Sequence, residues 1–259
     1  MYNNHPIGLF DSGIGGTSIW QAIHALLPNE STIYLADSAN APYGEKSKAE
    51  ILALCKKNTE LLLSKGCKLI VVACNTATTN AIKELRAQYD VPFIGIEPAI
   101  KPAALSSKTQ TIGILATKGT LSSELFNKAL EVYSTTKIVE QIGHGLVELI
   151  ENGQLDTAEI QSNLKSYLEP MIAANIDYLV LGCSHYPYLI PAIKKILPAH
   201  IQIIDSGEAV ARQTLAVLKE KVGLHDGNNL ATQQFYSNTD PKVLLEILNS
   251  AYSVTKLDF

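Results

Sequence analysis

Leu69-Ile70-Val71-Val72-Ala73-Cys74-Asn75-Thr76-Ala77-Thr78-Thr79 is the stretch on which the reading of this chain turns. Its first five residues are apolar, and three are β-branched. They show none of the polar alternation of a half-solvated strand, so they predict a strand buried on both faces. The pattern changes at Cys74, which opens a run of N-capping residue types leading into helical spacing as far as residue 88. A buried strand passing straight into a helix is the unit of a parallel α/β sheet. Tyr178-Leu179-Val180-Leu181-Gly182-Cys183-Ser184-His185-Tyr186-Pro187 repeats the pattern, again with a cysteine at the junction. A helix N-terminus is where a thiolate is most easily stabilised. The two thiols, one from each half of the chain, are therefore the first candidates for chemistry.

Outward from these junctions, strand-like and helix-like segments alternate. Strands are expected at 7–10, 32–36, 68–73, 91–95, 111–116, 137–141, 178–182, 201–205 and 233–237. Helices are expected at 17–27, 46–64, 76–88, 97–105, 117–133, 146–151, 157–174, 187–197, 207–222 and 241–250. The rhythm predicts an α/β protein with mostly parallel sheets flanked by helices. Phe10-Asp11-Ser12-Gly13 is echoed by Ile204-Asp205-Ser206-Gly207, and Ala73-Cys74-Asn75-Thr76 by Gly182-Cys183-Ser184-His185. Short Gly/Ser turns coincide by chance, but echoes at strand ends fit two similar halves facing each other.

The bulk numbers narrow the function classes. The chain has 259 residues, 46% apolar and 18% charged, the make-up of an ordinary globular protein. A net charge of −4 without a dense Lys/Arg run argues against a nucleic-acid partner. The first residues, Met1-Tyr2-Asn3-Asn4-His5-Pro6, have neither a basic nor an apolar leader region, and the longest apolar runs are too short to span a bilayer. With four cysteines and no such leader, the expected location is the reducing cytoplasm, with no membrane partner.

In open parallel sheets, ligands bind beyond the carboxyl ends of the strands. Four segments put polar residues there: Asp11-Ser12-Gly13-Ile14-Gly15-Gly16, Pro42-Tyr43-Gly44, Cys74-Asn75-Thr76 and Cys183-Ser184-His185. Free N–H groups at helix starts suit a carboxylate ligand. As a nucleotide loop the glycine turn is weak: Ser18 stands where a third Gly is needed, Asp37 is the only acidic candidate, and no Gly-Lys-Ser/Thr occurs. No Cys-x-x-Cys or His-x-x-x-His spacing suggests a metal. Cys55 and Cys67 read as small core hydrophobes.

For Cys74 and Cys183, a redox pair lacks the usual close motif, and acyl transfer needs one thiol rather than two. Proton transfer at a stereocentre needs two bases on opposite faces of one carbon. A thiol, ordinarily at about 8.5, is readily brought towards neutrality for that task. Asp11 is placed to serve Cys74, and His185 to serve Cys183.

Several segments together resemble glutamate racemases. They are Gly8-Leu9-Phe10-Asp11-Ser12-Gly13-Ile14-Gly15-Gly16, Tyr34-Leu35-Ala36-Asp37 with Ala41-Pro42-Tyr43-Gly44, Ala73-Cys74-Asn75-Thr76-Ala77, Gly113-Ile114-Leu115-Ala116-Thr117, Leu181-Gly182-Cys183-Ser184-His185-Tyr186-Pro187, and Asp205-Ser206-Gly207. The resemblance runs from about residue 6 to residue 240. It implies a cofactor-independent isomerase, with no metal, that supplies D-glutamate for peptidoglycan. Cys74 and Cys183 would be the two acid/base residues, assisted by Asp11 and His185. Asp11, Ser12, Tyr43, Gly44, Asn75, Thr76, Ser184 and His185 would contact the substrate, with Glu151 and Asp37 as accessory acids.

The implied architecture is two α/β domains, residues 1–96 with 208–259 and residues 97–207, with the active site in the cleft between them and a homodimer as the assembly. Aspartate racemase of the same superfamily and a non-catalytic binding relative are the alternatives. Three departures stand out. Ser184 replaces the usual Thr and keeps its hydroxyl, Thr17 replaces a common Leu, and Gly143-His144-Gly145-Leu146 lacks a Cys-Pro often found before Leu-Val. The N-terminus lacks the long extension of precursor-activated members, so activation by a cell-wall precursor is not expected.

Overall fold

A computed structural model describes residues 2–259. Its ten strands are β1 (Ile7–Asp11), β2 (Thr32–Ala36), β3 (Leu69–Val72), β4 (Phe93–Gly95), β5 (Thr111–Ala116), β6 (Lys137–Ile142), β7 (Tyr178–Gly182), β8 (Gln202–Ile204), β9 (Gln233–Ser237) and β10 (Val254–Lys256). They form two wholly parallel sheets, as the alternation predicts. The first is ordered β10-β9-β2-β1-β3-β4 and the second β6-β5-β7-β8. Central strands β1, β2, β3 and β5 are buried along their whole length, which is why they read as unbroken apolar runs.

The chain leaves the first sheet after β4 and returns after β8. The two crossings meet where the Ser206 hydroxyl donates to the Glu97 carbonyl at 2.5 Å. The returning helix Gly207–Val217 packs on Thr17–Leu26, beside the first sheet. One apolar cluster, holding Leu9 and Val71 of the first sheet and Leu179 and Leu181 of the second, runs through both halves.

Three local readings change. The helix expected over 117–133 is two, Lys118–Leu121 and Glu124–Val132, because the Ser123 hydroxyl accepts from Phe126 N–H and caps a new start. The segment after His185 is a 3-10 turn, Tyr186–Leu189, followed by one short helix, Ile190–Lys194. Pro187 and Pro191 each lack the N–H that a longer α-helix would use. Strand β10 has no sequence signal, because its three residues are half-buried or exposed and carry no pattern.

At the amino ends of the strands, opposite the cysteine junctions, lies a buried ion pair. Lys68 Nζ meets Glu30 Oε2 at 2.7 Å, with the two side chains 1% and 3% exposed. The ammonium also donates to the carbonyls of Asn3 (2.6 Å) and Gly223 (3.1 Å), and His225 N–H donates to Glu30 Oε1 (2.8 Å). The N-terminal segment, β3 and the segment leading to β9 are thereby tied at one point.

Candidate functional site

The carboxyl ends of β1, β3 and β7 converge on one small cavity with both junction thiols on its wall. Ser12, Tyr43, Gly44, Asn75, Thr76, Ser184 and His185 line it as well, together with Pro42, Thr117 and Val147. Its free volume is about 10 Å³, room for roughly one water molecule. As it stands, the cavity is too small for an amino acid.

Cys74 is itself the N-cap of the helix Asn75–Gln88. Its sulfur accepts from Ala77 N–H at 3.4 Å and lies 3.7 Å from Ser12 Oγ. Burial pushes this thiol well above its ordinary range and the nearby Asp11 charge adds to the effect, outweighing the Ala77 and Ser12 contacts. Cys183 does not head a regular helix, contrary to the junction reading; the prolines after it allow only the 3-10 turn. Its sulfur lies 3.9 Å from His185 Nδ1.

His185 is the centre of the charge arrangement. Its Nε2 lies 2.6 Å from Glu151 Oε1, and its Nδ1 lies 3.9 Å from Asp11 Oδ2. The short carboxylate contact makes Nε2 a donor, so the neighbouring Gly15 N–H, 3.3 Å away, finds no acceptor there. Burial pulls the imidazole down, but Cys183, Glu151 and Asp11 outweigh it and hold His185 well above its usual range. For Glu151 burial works upwards, and the His185 bond and charge with the Ile14 N–H bring it below its ordinary value. Asp11 is raised by burial despite His185 and a 2.8 Å bond from Gly16 N–H.

A stability signature follows. The lowered Glu151 contributes above its ordinary 4.5 and loses that contribution on acidification. The raised His185 contributes fully below its ordinary 6.5 and loses it as pH rises through its higher folded value. Glu151→Gln is therefore expected to show its largest drop in urea midpoint between about pH 4.5 and 6.5, with the gap to the parent narrowing on either side. A gap independent of pH overturns this account.

The glycine turn is explained by close approach. A Cβ at Gly13 would stand 2.0 Å from Glu151 Oε1, and one at Gly15 would stand 2.3 Å from His185 Nδ1. The turn seats Glu151 and His185, which come from the other half of the chain.

Asp11 is fully buried and lies one layer behind the cavity wall. Its Oδ1 accepts from Ser184 Oγ at 3.2 Å, which also places Ser184. Asp37 lies behind the wall too, beneath Tyr43. It accepts from the Tyr43 hydroxyl, from Asn40 Nδ2 (2.7 Å) and from Asn238 Nδ2 (2.6 Å). Cys55 and Cys67 lie in the core, away from the cavity; burial raises both thiols, Cys67 to about 12.

Sequence reasoning passed over Thr117, Thr120 and Asn238. Thr76 Oγ1 lies 2.8 Å from Thr117 Oγ1, which in turn donates to Thr120 Oγ1 at 3.0 Å. Thr117 caps the helix after β5, so the strand-end rule that found the cysteines applies to it equally. Asn238 had no local signal: it clamps the Asp37 loop from the end of β9 and accepts from Ala39 N–H at 2.8 Å. The Asn75 carboxamide is 2% exposed, and neither of its polar atoms has a partner. A buried amide without partners costs about 1–3 kcal/mol, which a polar ligand in the cavity would offset. Among the described residues, no group of three His, Cys, Asp or Glu is disposed to hold a metal ion, and no helix is long and apolar enough to cross a membrane.

The sequence profile of the Asp/Glu/Hydantoin racemase family matches residues 14–214. A protein of Stutzerimonas stutzeri named glutamate racemase is 44% identical over 245 residues, covering 94% of this chain and 92% of its own length. Among solved structures, the glutamate racemase isoform RacE1 of Bacillus anthracis superposes with a TM-score of 0.88 at 32% identity, covering 100% of this chain and 98% of that one. The Escherichia coli glutamate racemase, solved with L-glutamate and the activator UDP-MurNAc-Ala, superposes at 0.87 with 32% identity over 98% of each chain.

Proposed function

The chain belongs to the Asp/Glu/Hydantoin racemase family, and from that premise we propose that it interconverts L- and D-glutamate without a cofactor, Cys74 and Cys183 working from opposite faces of the α-carbon. One observation carries the reading: a single small cavity has both thiols on its wall, with the unpartnered Asn75 carboxamide beside them in the lining. The working division is residues 1–96 with 208–259 against residues 97–207, with the substrate held between. The product is D-glutamate for peptidoglycan synthesis.

The charges set the direction of readiness. His185, held above its usual range by Cys183, Glu151 and Asp11, has its Nδ1 3.9 Å from the Cys183 sulfur. Asp11 and burial keep Cys74 as a thiol. In the L-to-D direction, Cys183 takes the α-proton, the C–H electron pair moves onto the substrate carboxylate, and Cys74 gives its proton to the other face. The developing negative charge is met by N–H groups at the start of Asn75–Gln88, where one well-aimed donor lowers a barrier by roughly 3 kcal/mol. The hydroxyls of Thr76 and Thr117, 2.8 Å apart on the cavity wall, would take the side-chain carboxylate. Aspartate is shorter by one methylene, a difference worth about 1–3 kcal/mol, so its kcat/KM is expected to be roughly 10- to 200-fold lower.

The test is L-glutamate in D₂O, followed by polarimetry and proton NMR. Optical rotation is expected to fall to zero as the α-position gains deuterium. Because the enantiomers are equal in energy, kcat/KM must be the same for both at every pH. A solution that keeps its rotation and its α-proton rejects the racemase and leaves the binding relative.

A further inference from the structure

The first turn of the helix Thr17–Leu26 reaches across to the segment that follows Cys183. Thr17 Oγ1 lies 2.6 Å from Tyr188 OH, and Ser18 Oγ donates to the Ser184 carbonyl at 2.9 Å. The Thr17 hydroxyl proton is already committed to the Ile14 carbonyl, also at 2.6 Å. Tyr188 is therefore the donor in its bond to Thr17. Burial, outweighing the Thr17 contact and reinforced by the Asp11 charge, moves the Tyr188 phenol to about 12, so it remains a donor throughout the neutral range. Thr17 lies beside the first sheet and Tyr188 beside the second, and neither is on the cavity wall.

A cavity with room for about one water does not hold glutamate as it stands, and its wall is made by residues of both halves, so parting the halves would enlarge it. Every bond between the halves then weighs on the balance between open and closed. We infer that the Thr17–Tyr188 pair is a latch, a hydroxyl bond that holds the closed form over the bound amino acid without touching it. The inference deepens the racemase reading and rests on it. Both are positioning residues. A bond present only in the closed form tightens apparent binding by the fraction of closed molecules it adds. The two enantiomers share that closed form, so its loss acts on both alike.

The experiment compares Thr17→Val, Tyr188→Phe, the double variant and Thr17→Ser. The first two are expected to raise KM for L- and D-glutamate roughly 2- to 10-fold, the net worth of one hydrogen bond, with kcat undiminished. Thr17→Ser keeps the hydroxyl and the parent KM, and the double variant is no worse than either single one. A second readout needs no activity. The Ile14 amide donates across the halves to Glu151 at 2.7 Å, so its hydrogen exchange reports closure. It is expected to exchange faster in Tyr188→Phe, while the amides of Leu9 and Phe10 within β1 keep the parent rate. A fall in kcat at constant KM, single effects that multiply in the double variant, or an unchanged Ile14 exchange rate each overturns the latch. Should the parent enzyme not racemise glutamate, the exchange rates alone decide the latch and the racemase reading fails separately.

Discussion

Cys74→Ser is expected to lower racemisation by about 10²- to 10⁴-fold in both directions, the usual worth of a positioned acid or base. A serine hydroxyl neither delivers nor takes the proton near neutral pH. It does preserve the fold: position 74 caps Asn75–Gln88 by accepting from Ala77 N–H, and serine is among the strongest capping residues. The informative readout is isotopic. With Cys183 intact, the variant still removes and returns the α-proton of L-glutamate, so deuterium enters L-glutamate while its rotation persists. Cys183→Ser gives the mirror result, with deuterium entering D-glutamate only. Near-parental turnover in either variant removes the two-thiol scheme.

Lys68→Met is expected to cost about 3–5 kcal/mol of stability, the penalty for leaving a buried charge without its partner. Glu30 would keep only the His225 N–H, and the carbonyls of Asn3 and Gly223 would lose their donor. That is a large share of the roughly 5–15 kcal/mol by which a folded domain is stable. Replacing both partners, Lys68→Met with Glu30→Leu, is expected to restore most of the loss, because no charge is then stranded. The pair lies at the amino ends of the strands, away from the cavity, so kcat/KM per folded molecule should not change. Urea midpoints at constant m measure the cost; a loss under about 1 kcal/mol shows that the pair is not desolvated as described.

Both results bear on what is legible in a sequence. The cysteine junctions were legible because the change from an apolar run to capping residues happens within two or three positions. The same rule placed Asp11, Ser184 and His185 at strand ends, and applied evenly it would have found Thr117. The division of 117–133 at Ser123 and the 3-10 turn after His185 also rest on local capping and proline chemistry, and closer reading would have caught them. Glu151 was known only through the family resemblance. Its own signal is an acid on a short helix, and its partner Ile14 is 137 residues away. Lys68 and Glu30 had no signal, since each looks like an ordinary charge at the start of a strand.

By itself the sequence determined the α/β class, the parallel sheets and the two thiol-bearing strand ends. These follow from periodicity and capping, which act over a few neighbouring residues. Only the tertiary structure decided that both sulfurs line one cavity, that His185 stays charged between Glu151 and Asp11, and that Tyr188 meets Thr17. The reason is that each of these contacts joins segments distant in sequence that folding brings together around one cavity, and neither segment carries a local mark of the other.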